Sequence, residues 1–155
     1  MVLAFSWSLL LYRTPTRVNL AKIHVLEVDA SHSFVLCGGE EETAKHLFLH
    51  CEMVAKVWLK VFNWVNVHFI TPLNLFWHLD CWSNEVTSKK LRKGFWLIWH
   101  VTIWVIWKER NDSIFYGDIK IVDEIVDEIK TLSWVWSINR LKIGAFIFMS
   151  GVGIL

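Results

Sequence analysis

Residues 94–107 read GFWLIWHVTIWVIW. Wound as a helix, this run is apolar nearly all round from Phe95 to Trp107, which demands burial on every side. A bilayer would supply such burial, but 14 residues fall short of the about 20 needed to span one. The remaining solution is a helix at the centre of a protein core. Its polar flanks extend the pattern to SKKLRK before and KERNDS after. The spacing therefore predicts one long helix over 88–115, ended by Gly117-Asp118. A second apolar run, IGAFIFMSGVGIL at 143–155, is 13 residues long and also too short to span. Membrane association is not expected from either.

A core helix of this kind needs partners, and the rest of the chain supplies helices. Only two Pro and seven Gly occur in 155 residues, too little turn chemistry for a many-stranded sheet. The segment IVDEIVDEIKTLSWVW (121–136) is amphipathic. Ile121, Ile125, Ile129, Leu132 and Trp136 form a stripe beside Val122 and Val126. Asp123, Glu124, Asp127 and Glu128 lie opposite, as a solvated acidic face. From Thr43 to Val65 the pattern is helical through Leu47, Val54, Val57, Trp58, Val61 and Val65. Near the start, Leu3, Trp7, Leu10 and Leu11 share a helical face within residues 2–12. Thr14 and Pro15 then predict the start of a second short helix with Leu20 and Ile23 inward. Pro72 begins another, to about Trp82. HVLEVDA (24–30) alternates weakly as a short strand, and Gly38-Gly39 forces a turn.

The first residues, MVLAFSWSLLLYR, lack a preceding Lys or Arg and a small-residue cleavage site. They read as a truncated domain start rather than a signal peptide. The 16 basic and 15 acidic residues exert no global pull toward nucleic acid, so any electrostatic recognition must be local. Three Cys, at 37, 51 and 81, are too few and oddly counted for a disulfide framework. In a reducing compartment they read as metal ligands or core.

The stretch FVLCGGEEETAKHLFLHC (34–51) concentrates the metal chemistry. Structural zinc takes four Cys or His donors in a tetrahedron. Cys37, His46 and Cys51 stand at knuckle-like spacing, but the place for a further Cys, three before Cys37, holds Phe34. His32 and His50 are the nearest replacement donors. A regular α-helix through 44–51 would point His46 and Cys51 about 140° apart. Convergence requires the helix to start after Cys51 or to break before it. Otherwise the two Cys are small buried hydrophobes and His46 a core histidine. Cys81, with only His78 nearby, reads as core.

With its flanks, this stretch resembles a known family. FSWSLLLYRTPTRVNLAK followed by FVLCGGEEETAKHLFLHCEMVAKVW is similar to the reverse-transcriptase zinc-binding domain of plant LINE-type (non-LTR) retrotransposon polyproteins. Phe5, Trp7, Pro15 to Leu20, Cys37, Glu41 to Phe48, Cys51 and Trp58 carry the likeness. IWVIWKERNDSIF resembles the Trp-rich segment with an R-N pair that follows the knuckle. The resemblance implies Zn2+ as cofactor, held by Cys37, His46 and Cys51 with the first ligand replaced by Phe34, and His32 as the best substitute. It implies a non-catalytic appendage that engages RNA or DNA beside a polymerase partner, without a small-molecule substrate, in the nucleus or cytoplasm.

The chain divides accordingly into a zinc-binding-like unit at 1–66, a short helix and linker at 67–87, a Trp-rich helical segment at 88–142 and an unmatched apolar tail at 143–155. The predicted fold is mainly α: short helices around a small irregular knuckle-like segment, followed by two long helices. Lys89, Lys90, Arg92 and Lys93 open the long helix and are the candidate nucleic-acid contacts. They would join Lys108 and Arg110 only if folding overcame roughly 28 Å of helix. Trp96, Trp99, Trp104 and Trp107 read as core rather than as base-stacking platforms. No Gly-rich phosphate loop, G-x-S-x-G or H-E-x-x-H is present, and neither are the polymerase Asp-Asp motif and an RNase H-like carboxylate set. The appendage reads as a degenerate fragment; the alternative is a structural or interaction remnant without a ligand, and behind that a membrane-associated protein through 94–107 or 143–155.

Overall fold

The structure, a computed structural model, describes residues 2–27 and 33–141. Among them it is mostly helical, as the sequence predicts. Six α-helices run in chain order: α1 (Val2–Leu10), α2 (Arg17–Lys22), α3 (Glu52–Val65), α4 (Leu75–Asn84), α5 (Lys89–Tyr116) and α6 (Val122–Trp136). Two π turns, His46–His50 and Ser137–Leu141, abut α3 and α6. No strand forms among the described residues; an isolated bridge joins Ser33 to Glu41.

The apolar run lies at the centre, as its all-round pattern requires. Phe95, Ile98, Trp99, Val101, Thr102, Ile103, Val105, Ile106 and Trp107 are all buried. Helices α1, α4 and α6 pack against α5, and α3 packs on α6. Gly117 ends α5 with a left-handed φ of 68°, a conformation that costs glycine little. In α3, Val54, Val57, Trp58, Val61 and Val65 face inward as their spacing predicts. Asn66, also left-handed, closes that helix.

Many buried tryptophans are tolerable only where each indole N–H finds an acceptor. Trp58 donates to the Phe48 carbonyl at 2.8 Å, Trp82 to the Phe95 carbonyl at 2.6 Å and Trp99 to His78 Nδ1 at 2.9 Å. Trp96, about half exposed, donates to Ser83 Oγ. The Trp cluster is thus largely core.

Several expectations are corrected. On α1, the buried residues are Val2, Ser6 and Leu9, whereas Leu3, Trp7 and Leu11 are exposed. Small Ser6 lets the backbone approach the core, and Phe5 packs its ring against Phe48, Trp104 and Trp107. Ile23 caps a shorter α2 and is exposed, since the helix ends before turning it inward. Helix α4 begins at Leu75 rather than Pro72, because the Asn74 side chain caps it by accepting from Trp77 N–H at 2.8 Å. Residues 24–26 are turn and bend, with His24 at a left-handed φ of 58°, and Glu27 has no regular structure. The remainder of the strand expected at 24–30 lies outside the described residues, as do His32 and the 143–155 tail.

The acidic face of α6 is largely engaged rather than merely solvated. Asp123 pairs with Lys60 of α3 at 2.7 Å. Glu128 takes Lys108 at 3.0 Å and Lys120 at 2.8 Å, and Lys120 reaches buried Glu109 at 3.3 Å. Glu124 accepts from the Ile121 N–H at the start of the helix, where negative charge suits the dipole. The hydrogen bond to Glu128 holds the Lys120 ammonium well above its ordinary range. Helix α6 is therefore clamped to α5 by charge on one side and by Ile125, Val126 and Ile129 on the other.

Two histidines, buried His78 and half-buried His100, are held neutral. His78 sits among Trp58, Phe62, Phe69 and Trp99. Since Nδ1 accepts from Trp99, its proton is on Nε2, which has no partner. Burial pushes its pKa down to about 3, with His50 adding a smaller push, and burial pushes His100 down to about 4. The unfolded chain binds these protons near pH 6.5, and the folded chain refuses them until far lower. Stability is full above pH 6.5 and falls as pH drops from 6.5 toward 3–4, by about 2 kcal/mol per histidine at pH 5. Urea titrations across this range are expected to show that loss. His78→Phe should flatten the slope with pH, whatever its effect on absolute stability.

Candidate metal centre

The centre is built by a turn, a widened helical turn and a chain break. The Phe34 carbonyl accepts from Gly38 N–H at 2.7 Å and Cys37 N–H at 3.3 Å, which closes the turn. Gly38, at φ 67°, carries the chain through the left-handed region. The chain then enters helix at Ala44 and widens into the π turn His46–His50. At Cys51 the backbone is extended (φ −60°, ψ 133°), and α3 starts at Glu52. The N–H of Cys51 bonds to the His46 carbonyl at 2.8 Å, a five-residue span. That span, wider than the four of an α-helix, turns residues 46 and 51 toward each other. The break required for convergence is present.

The donor atoms of Cys37, His46 and Cys51 all lie within 4.8 Å of one another. Cys37 Sγ is 3.2 Å from His46 Nε2. Tetrahedral zinc, with bonds of about 2.0–2.3 Å, holds its donors roughly 3.5–4 Å apart, so the cluster is slightly open but of the right size and chemistry. Cys51 and His46 are buried; Cys37 is exposed. On the outer side of the imidazole, the Glu40 carboxylate lies 3.0 Å from Nδ1. It is off the N–H direction, so Nδ1 lacks an aligned hydrogen bond, yet its place is that of the carboxylate that commonly orients a ligating histidine. Burial pushes the Cys51 thiol up, the Cys37 thiol adds to that, and the N–H groups of Val54 and Met53 pull it back. A bound cation would displace that proton.

Phe34 is fully buried and stands edge-on to the His46 ring, with centroids 5.6 Å apart. His50 is exposed and does not join the cluster. Cys81 is half-buried and joins none.

Two residues that carry the site's attachment were not singled out by sequence reasoning. Glu42 is fully buried and receives Arg110 through Nε at 3.1 Å and again through Nη2. Its Oε1 also accepts from the Arg17 N–H at 2.9 Å. Arg110 lies over the Trp107 ring at 4.8 Å and binds the Asn111 side chain at 2.9 Å. Nearby, Asn19 bridges the carbonyls of Tyr12 and Thr14 at 2.9 and 2.8 Å. The segments P-T-R-x-N-L, E-E-T and K-E-R-N are therefore parts of one network. In the sequence Glu42 is the last of an acidic run, Glu40 to Glu42, that reads as surface, and its partner lies 68 residues away.

The basic cluster is not part of this centre. Lys89, Lys90 and Lys93 are exposed at the start of α5, and Arg92 is half-buried and donates to the Val86 carbonyl at 3.2 Å. Along α5 they stand roughly 25–30 Å from Arg110. Lys108 and Arg110 are held by Glu128 and Glu42, so the six do not form one patch.

Two sulfurs and an imidazole, gathered by a tight glycine turn and a helix break, form a cluster that could hold a metal ion. Residues 1–58 match the family described as zinc-binding in reverse transcriptase. No curated protein and no solved structure matches the chain.

Removing Glu42 would strand Arg110 in the core. Glu42→Ala is expected to destabilise the fold by about 3–5 kcal/mol, measured by chemical denaturation. Glu42→Gln, which retains an acceptor, should cost less.

Proposed function

We propose that the chain is a non-catalytic, metal-pinned, nucleic-acid-binding appendage of a LINE-type retrotransposon reverse transcriptase. The observation that carries this reading is the convergence of Cys37, His46 and Cys51 at a helix break, within a segment that matches the reverse-transcriptase zinc-binding family. These three residues are the proposed ligands, and His32 is retained as a candidate fourth. The ion would hold the 37–51 segment against α3, leaving the adjoining surface ordered for RNA or DNA beside the polymerase.

Lys89, Lys90 and Lys93 are proposed as phosphate contacts, with Arg92 beside them. Cations at a helix N-terminus oppose the dipole, so folding gives no reason for three of them to be there. Among the described residues they form no ion pair. No described helix is long and apolar enough to cross a membrane, and the reading places the chain with nucleic acid in the nucleus or cytoplasm.

A second reading, an interaction surface without nucleic acid, is favoured by one observation. Leu3, Trp7, Phe76 and Trp96 are large, exposed, and line one groove between α1, α4 and α5. Exposed apolar surface of this kind commonly marks contact with another protein.

Fluorescence anisotropy with single-stranded RNA and DNA separates the two. Binding should weaken with salt, and Lys89/Lys90/Lys93→Ala should reduce the slope of log K against log salt by about 2. Absence of affinity at low ionic strength would remove the nucleic-acid reading and leave the groove. Metal analysis of the purified chain, with a chelator lowering its melting temperature, checks the pinning role.

A further inference from the structure

We propose that Cys37 and Cys51 are a peroxide-oxidisable thiol pair, and that the disulfide they form withdraws two of the three donors from the metal site. The bond rests on the two thiols alone; only its effect on a metal rests on the reading above.

The two residues stand 14 positions apart in sequence, yet their sulfurs lie within 4.8 Å of each other. A disulfide needs about 2.05 Å. A side-chain rotation from one staggered position to the next carries a Cys sulfur about 3 Å, which is the scale of the gap. The partner with room to move is Cys37. It is exposed, on a turn beside Gly38, where the space a side chain would fill is empty to 4 Å. Cys51 is fully buried at the break before α3.

This asymmetry assigns the roles. Accessible thiols are the ones oxidised, and a second thiol beside them resolves the oxidised sulfur before it goes further. Peroxide reaches Cys37 from solvent. The Cys37 sulfur attacks one peroxide oxygen, an S–O bond forms and the O–O bond breaks. The hydroxide released takes the Cys37 proton and departs as water. The Cys51 sulfur then attacks the Cys37 sulfur, the S–S bond forms and the S–O bond breaks. A second hydroxide takes the Cys51 proton and departs as water. Two thiols have together lost two electrons, and one peroxide has become two waters.

His46 Nε2, 3.2 Å from the Cys37 sulfur, is left as the single donor of the cluster, and one imidazole does not make a structural metal site. Cys81, half-buried and outside the cluster, has no part in the exchange.

The test treats the reduced, metal-free, full-length chain with equimolar hydrogen peroxide, alkylates the remaining thiols and maps the product by mass spectrometry. The expected product is a Cys37–Cys51 link, reversed by a dithiol reductant, with Cys81 alkylated. Cys51→Ala should leave Cys37 as a sulfenic acid, captured by a cyclic diketone probe. Cys37→Ser, a change at an exposed position, should slow oxidation of Cys51 by more than about tenfold, because access governs the rate. Cys81→Ser should leave the link unchanged, and circular dichroism checks that each variant folds. Oxidation should lower the affinity for zinc by more than about tenfold, the least that loss of a ligand's supporting partner costs. Cys37 recovered as a sulfinic acid with Cys51 still alkylated, or a link through Cys81, would overturn the inference and leave the metal reading standing. Oxidised chain that holds zinc as tightly as reduced chain would overturn it too. A Cys37–Cys51 link in a chain that holds no zinc in either state would remove the metal reading and leave the thiol pair standing.

Discussion

A carboxylate removed from water must be met by charge or by several hydrogen bonds. Glu42 is met by both. Arg110 reaches it from α5 and the Arg17 N–H reaches it from the start of α2. Three segments distant in sequence thereby share one buried oxygen pair. The knuckle, which has no sheet to lean on and whose own segment is mostly turns, is fixed to the core through this contact and through the packing of Leu47, Phe48 and Leu49. The donor triad sits four residues from Glu42 at its nearest, His46. The position of the candidate metal site is set by an ion pair outside the cluster.

The elements legible in the sequence were those whose pattern repeats. Helix α5 was bounded within a residue at each end, because a run apolar on all sides has one place to go and Gly117 stops it. Helix α6 and the inner face of α3 followed from regular spacing of Ile, Val and Trp. Short helices were harder. Six residues of α2 leave too few turns to define a face, and Ile23 was assigned inward. In α1 both faces are apolar, so periodicity could not say which one meets the core. Contact with Phe48, Trp104 and Trp107 settles it in favour of the Phe5 side.

The candidate metal site was legible as residue types and only half legible as geometry. Spacing identified Cys37, His46 and Cys51, and the turn angle of an α-helix stated what had to give for them to meet. The π turn that answers the problem leaves no mark in the sequence. It is kept by tertiary contacts, among them the Trp58 indole on the Phe48 carbonyl. The role of Arg110 was unreadable for a related reason: an arginine in the polar run Lys108 to Asp112 looks like surface, until a carboxylate 68 positions earlier turns out to be its partner.

That indole bond has a further meaning for how such a sequence can be divided. Trp58 is the last residue of the family match, yet its ring rests on His78 and Trp82, beyond that boundary. Phe5 and Glu42, inside the boundary, lean on Trp107 and Arg110, outside it. The stretch that can be recognised by its letters is therefore smaller than the piece that can be transplanted. A recombination event or an expression boundary drawn at residue 58 would separate the knuckle from the helix that gives it a shape.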